Sequence, residues 1–105
     1  MKLTRDEILN MPAGRKTDAL VMAWVTEFSV DDNFYIPNYS TDFGAAWIVK
    51  EKLGLPISLV ESMLGGDYSC EFLVDAETEK IVEAIADTAP LAICRAALLA
   101  VMEAE

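Results

Sequence analysis

From Leu91 to Met102 the chain is apolar on every helical face except at Arg95. Leu91, Ile93, Cys94, Leu98, Leu99, Val101 and Met102 leave almost no polar stripe before Glu103. A helix of that composition cannot lie on a surface with one side in water. It must be central to the fold or covered by a partner. Asp87-Thr88-Ala89-Pro90 opens it, with a capping threonine and a proline in the first turn, where no amide is missed.

The rest of the chain must supply that cover. Thr4-Arg5-Asp6-Glu7 is a capping box, and the short helix it starts ends before Pro12. A second helical segment follows, with Leu20, Val21, Trp24, Val25 and Phe28 on one face. Residues 29–38 read as a loop from which Phe34, Tyr35 and Ile36 fold back onto the core. Ser40-Thr41-Asp42 opens another helix, which closes at Lys50-Glu51-Lys52 before Gly54. Phe43, Ala46, Trp47 and Leu53 form one apolar stripe on it, and Ala45, Ile48 and Val49 a second. Both tryptophans are expected in the core.

Ile57 to Leu64 reads as a strand, followed by the turn signal Gly65-Gly66-Asp67. Tyr68, Cys70, Phe72 and Val74 then alternate with Ser69, Glu71, Leu73 and Asp75, the cleanest period-two run in the sequence. Residues 79–86 carry two conflicting signals. Their propensity and the 81, 82, 85 spacing suggest a helix, and a third antiparallel strand is the competing reading.

A chain of 105 residues suits one domain, taken as 1–105, with enough length to bury its own core. No apolar run is long enough to span a bilayer, and the N-terminus lacks the apolar region of a secretory signal. The net charge is −10, with twelve of the eighteen acids after Tyr35 against four of the eight bases. Nucleic acid and anionic membrane are therefore excluded as expected partners, because both are bound through clustered Lys and Arg. A basic protein partner is allowed.

There is no histidine, so the usual general base and the usual triads are missing. Neither a phosphate-binding glycine loop nor a spaced cysteine pair occurs. Asp31-Asp32-Asn33 lacks the glycine and distal glutamate of a calcium loop. No catalytic residue, cofactor or metal site is expected. Cys70 and Cys94 fall in apolar stretches and read as buried free thiols.

Arg95 is the most informative residue, because a charge in an apolar helix needs a partner. A bidentate carboxylate is expected, with Asp18, Asp42 and Asp87 as candidates. Arg15, Asp18, Tyr39, Ser40, Asp42 and Arg95 thus form a candidate polar cluster. Either they join helix ends structurally, the favoured reading, or they build a pocket for an anionic ligand. Asp75, Glu77, Glu79 and Glu83 form an acidic stretch, read as a solvated turn and strand face or as a docking surface for a basic partner.

Three blocks resemble the phage ABA-sandwich domain family. They are Met11-Pro12-Ala13-Gly14-Arg15 with Asp18-Ala19-Leu20-Val21, Tyr39-Ser40-Thr41-Asp42 with Ala45-Ala46-Trp47, and Ala86 through Leu98. The resemblance spans about residues 8 to 103 and favours a strand at 79–86. It implies an α+β fold, an α-β-α sandwich with helices on both faces of a small antiparallel three-stranded sheet, in the order α-α-β-β-β-α. It also implies a phage or prophage origin, hence the host cytoplasm, and no established enzymatic activity. The leading expectation is a non-enzymatic accessory protein that contacts an unidentified host or phage protein and forms a small homo-oligomer through its last helix or a sheet edge. The alternative is a protein that binds or sequesters a small anionic metabolite or nucleotide signal.

Overall fold

The structure, a computed structural model, describes residues 3–26 and 36–104. Phe28, Asp31, Asp32, Asn33, Phe34 and Tyr35, named in the readings above, lie outside them.

Thr4 caps α1 (Arg5–Leu9): its hydroxyl accepts from the Glu7 amide, and the Glu7 carboxylate accepts from the Thr4 amide, completing the capping box. Gly14, at φ 146°, turns the chain into α2 (Arg15–Val21), which continues as a π-helical turn over Met22–Thr26. Asp42 itself caps α3 (Phe43–Leu53), accepting from the Gly44 amide, a role expected of Ser40 or Thr41. Gly54 ends α3 at φ 68°, a conformation that glycine adopts without strain.

Three strands follow: β1 (Ile57–Glu61), β2 (Tyr68–Asp75) and β3 (Lys80–Ala86). They form an antiparallel meander with β2 in the centre. β1 stops at Glu61, short of the expected Leu64; Met63 and Leu64 stand almost wholly in solvent at the hairpin tip. The conflict at residues 79–86 resolves as a strand. Val82, Ala84 and Ala86 are buried and alternate with exposed Ile81, Glu83 and Ile85. Pairing with β2 overrides local helix propensity, because only the period of two places those three side chains on the core.

Helix α4 (Ala89–Ala104) is central, as its composition demands. Every residue from Ala89 to Ala100 except Arg95 is buried. One side of α4 packs on β2 and β3, and the other meets α3, α2 and the π-turn. Ala92, Ala96, Ala97 and Ala100 are fully or almost fully buried, and their small side chains let the layers approach closely. Leu98, Leu99, Ile93, Phe72, Ile8 and Val49 fill the remaining space, each stabilising the fold by about 1.5–3 kcal/mol through burial. The apolar surface of α4 is thus consumed within one chain. The expectation that the last helix forms an oligomer interface does not hold for its buried length.

The class, the strand order and the helix order are those expected, and the arrangement is α+β. Helix cover is uneven between the two sheet faces. α4 packs across the inner face, made by Ile57, Leu59, Tyr68, Cys70, Phe72, Val82, Ala84 and Ala86. The described residues leave the outer face open, with Val60, Ile81 and Ile85 each more than half exposed.

Neither tryptophan is in the core. Trp24 is 37% exposed and Trp47 36%. On α3 the buried positions are Ala45, Ala46 and Val49, small residues against α4. Phe43 and Trp47 stack on each other outside, with ring centroids 5.6 Å apart and the Lys50 ammonium 5.0 Å from the Trp47 ring. The buried face thus takes Ala46 from one expected stripe and Ala45 and Val49 from the other, because close packing against an alanine-rich neighbour selects the smaller side chains.

Cys70 and Cys94 are free and fully buried, Cys70 on the inner face of the central strand and Cys94 in α4. Burial, aided by the Glu71 charge, pushes the Cys70 thiol up to about 12 from its ordinary 9.0. Burial chiefly, then Asp18 and Cys70, raises Cys94 as well. Both states carry the protons below pH 9, where the thiols add no pH dependence. Above it the unfolded chain ionises first, so stability falls as pH rises toward 12. Chemical unfolding across that range should show the decline, and a Cys70→Val, Cys94→Val variant should flatten it. In the native protein near neutral pH a polar thiol reagent should label neither residue, and it should label both once denaturant is added.

Candidate functional site

The six residues of the expected polar cluster separate into distinct groups. Asp18 and Ser40 form the first. Asp18 is 1% exposed on α2, and Ser40 is fully buried in the turn before α3. The Ser40 amide and hydroxyl both donate to Asp18 Oδ1, at 2.8 and 2.6 Å. The Ser40 oxygen in turn accepts from the Gly14 amide at 2.9 Å, one of the unsatisfied donors at the start of α2. A single serine thereby ties the N-terminus of α2 to the entry of α3. Tyr39 beside it is buried, its amide donating to the Pro37 carbonyl.

Arg95 stands apart from that link. Its Nε and one terminal nitrogen donate to the Met11 carbonyl, at 2.8 and 2.6 Å, and the other terminal nitrogen donates to the Ile85 carbonyl at 2.8 Å. The expected bidentate carboxylate is replaced by two backbone oxygens. Met11 precedes Pro12 at the end of the α1 segment, and Ile85 lies on the edge strand β3, so both carbonyls lack regular partners on that side. A planar fork satisfies both and joins α4 to α1 and to the sheet edge. Desolvation lowers the guanidinium from its ordinary value, and the Asp87 charge partly offsets this. A second stitch runs along the same pair of elements. Lys80, at the start of β3, meets Glu103 at 2.6 Å, and its hydrogen bond and charge hold the Glu103 carboxyl below the usual range.

Arg15 and Asp42 complete the set. Arg15 is exposed and donates to the Ile36 carbonyl at 3.2 Å. Asp42 is exposed and serves α3 as its cap. An open pocket of about 380 Å³ lies along the α1–α2 segment, with Glu7, Asn10, Arg15, Lys16 and Thr17 among its lining; Arg95 does not line it. The two arginines therefore do not converge on one ligand.

The acidic stretch divides too. Asp75 ends β2, and Glu77 and Glu79 lie in the β2–β3 turn, where the Glu77 amide donates to Asp75 and Glu79 takes a positive φ of 56°. Glu83 lies on the outer sheet face, accepting from the Ser69 hydroxyl at 3.0 Å. There it pairs across the strands with Glu71, a residue the sequence reading placed in β2 without a role. The signal that could have found it is the alternation of 80–86 set in register with that of 68–74.

This geometry sits in a recognised frame. The family model of the phage ABA sandwich domain matches residues 14–98. The chain belongs to the phage ABA sandwich domain family. The crystal structure of a phage protein from Bacillus cereus ATCC 14579 is similar, with a TM-score of 0.76 and 26% identity over 87% of this chain and 94% of that one. No curated protein matches the sequence. All three blocks that carried the resemblance now have structural work in this ABA sandwich domain. Gly14, Asp18 and Ser40 make the α2–α3 link, Ala45 and Ala46 pack on α4, and Arg95 donates to the Met11 and Ile85 carbonyls.

Replacing Arg95 with Met should lower stability by about 1–3 kcal/mol, the effect of leaving carbonyls without a donor. Arg95→Lys should recover only part, because an ammonium cannot reproduce the fork. Asp18→Ala should cost about as much by orphaning two buried donors of Ser40. Arg95→Met and Asp18→Asn share no hydrogen bond, so their effects should add to within about 0.5 kcal/mol in urea unfolding. A rescue of one by the other would mean that a carboxylate partners Arg95 after all.

Proposed function

We propose that this chain is a phage accessory protein that acts in the host cytoplasm by binding another protein across the outer face of its sheet, without catalysing a reaction. The observation that carries the reading is that face itself. Val60 is 56% exposed, Ile81 51% and Ile85 52%, with Leu73 paired to Ile81. A sheet face carrying aliphatic side chains in adjoining strands is an apolar patch of the kind that marks an interaction site. Two shallow depressions of about 290 and 150 Å³ lie on it, and the exposed Met63 and Leu64 project from the adjoining hairpin. The chemistry within the chain supports a binding role. It has no histidine, and its two thiols are buried and held protonated.

Self-association belongs to the same reading, through the exposed face of α3 rather than through α4. Phe43, Trp47 and Ile48 lie together there, 36–49% exposed. Light scattering should give a mass above that of the 11.5 kDa chain at high concentration, and Trp47→Glu should return the monomer. A monomer at all concentrations would remove this part.

The second reading, capture of a small anion, has its place in the α1–α2 pocket, where Arg15 and Lys16 are the cations. A melting temperature raised by phosphate or a nucleotide, and not raised in Arg15→Met, would favour it. The protein-binding reading is tested directly by a photo-crosslinking residue at Ser58 or Ser69, both on the outer face, in phage-producing cells. Discrete protein adducts at these positions, and none from Glu51 on α3, are expected. Adducts from α3 alone would overturn it.

A further inference from the structure

This inference rests on the protein-binding reading of the outer sheet face and specifies the partner's chemistry. The strand register arranges that face in three cross-strand rows. Val60, Ser69 and Ile85 form one, Ser58, Glu71 and Glu83 the next, and Leu73 with Ile81 the third. The larger depression is lined by Val60 and Ile85 on one side of the middle row; the smaller, by Leu73 and Ile81, reaches from the other side to Ser58 and Glu71 of the middle row itself. The surface is therefore apolar, acidic, apolar.

Glu71 and Glu83 occupy directly paired positions on neighbouring strands, where like charges destabilise a sheet. Ser69 gives Glu83 one hydrogen bond, but none of the outer-face positions is a lysine or arginine. Lys80, the one base of β3, is engaged by Glu103 on the opposite side. Asp67 adds a further carboxylate to the lining of the larger depression. A second copy of this chain, docked face to face about a twofold axis, would set four such carboxylates against one another beneath aliphatic cover, an arrangement that desolvation makes unfavourable.

We infer that the outer sheet face receives a segment of another protein that presents an arginine or lysine between two aliphatic side chains. The cation lies over Glu71 and Glu83, and the aliphatic groups enter the two depressions. Rows two residues apart along a strand are separated by about 6.7 Å, so the partner's base sits midway between aliphatic groups about 13 Å apart. Two unbalanced carboxylates explain both the specificity for a cation and the rejection of self-pairing on this face.

The test uses the full chain and three short capped peptides. Each carries isoleucines flanking a central arginine, glutamine or glutamate, at alternate positions in a threonine and serine background. Amide chemical shifts are followed by NMR during titration. The arginine peptide should perturb Ser58, Val60, Ser69, Glu71, Leu73, Ile81, Glu83 and Ile85 and bind at least about tenfold more tightly than the other two. Added salt should weaken it. A Glu71→Gln, Glu83→Gln variant, whose folding is checked by its melting curve, should bind all three alike. Equal binding of the three peptides to this face of the wild-type chain would overturn the inference about charge and leave the protein-binding reading in place. Shifts confined to other faces, or none with any peptide, would overturn the inference; absence of crosslinks from Ser58 and Ser69 would then remove the wider reading as well.

Discussion

Burial of α4 on all sides is the constraint on which the other elements depend. A helix with alanine at positions 92, 96, 97 and 100 and larger aliphatic groups between them gains little unless neighbours approach closely from both directions. The sheet supplies one layer and α3 with the α2 segment the other. Arg95 is the single polar interruption, and it is used where the layers meet. Its guanidinium holds the Met11 carbonyl on one side and the Ile85 carbonyl on the other. The charge that looked anomalous in an apolar run is a fastening between the short first helix, the central helix and the sheet edge.

The Asp18–Ser40–Gly14 link does the corresponding task between α2 and the entry of α3. A carboxylate with two donors from one serine has its buried oxygen satisfied by short-range geometry, without a cation. This explains why Asp18 and Arg95 need not meet, and why the polar residues that the sequence grouped together come apart in the fold. Each buried polar group is answered locally by backbone or hydroxyl, which is the ordinary resolution in a small core.

Placing every described helix that contacts the sheet substantially on one face leaves the other to solvent. There the same alternation that buries Val82, Ala84 and Ala86 must expose Ile81, Glu83 and Ile85. Aliphatic exposure and paired glutamates follow from one register, and together they make that face unsuited to pairing with itself. The strongly acidic balance of the chain has a local expression here, beyond its general effect on solubility.

Much of the architecture was legible because it depends on local chemistry. The Thr4–Glu7 capping box, the glycine end of α3 at Gly54, the alternation of 68–74, the buried thiols and the all-round apolar character of α4 are each determined by residues within a few positions of one another. Tertiary structure decided the rest. Residues 80–86 carry helical propensity, and hydrogen bonding to β2 made them a strand. Trp24 and Trp47 lie on apolar helical faces yet stand outside the core, Trp47 because α3 turns Ala45, Ala46 and Val49 toward α4. The partners of Arg95 are main-chain carbonyls 84 and 10 residues away, which no side-chain pattern can announce. Glu71 and Glu83 became neighbours only when two strands fell into register. Local sequence determines which faces are apolar and where elements begin and end; which face is covered, and what a buried charge meets, depends on distant segments brought together by folding.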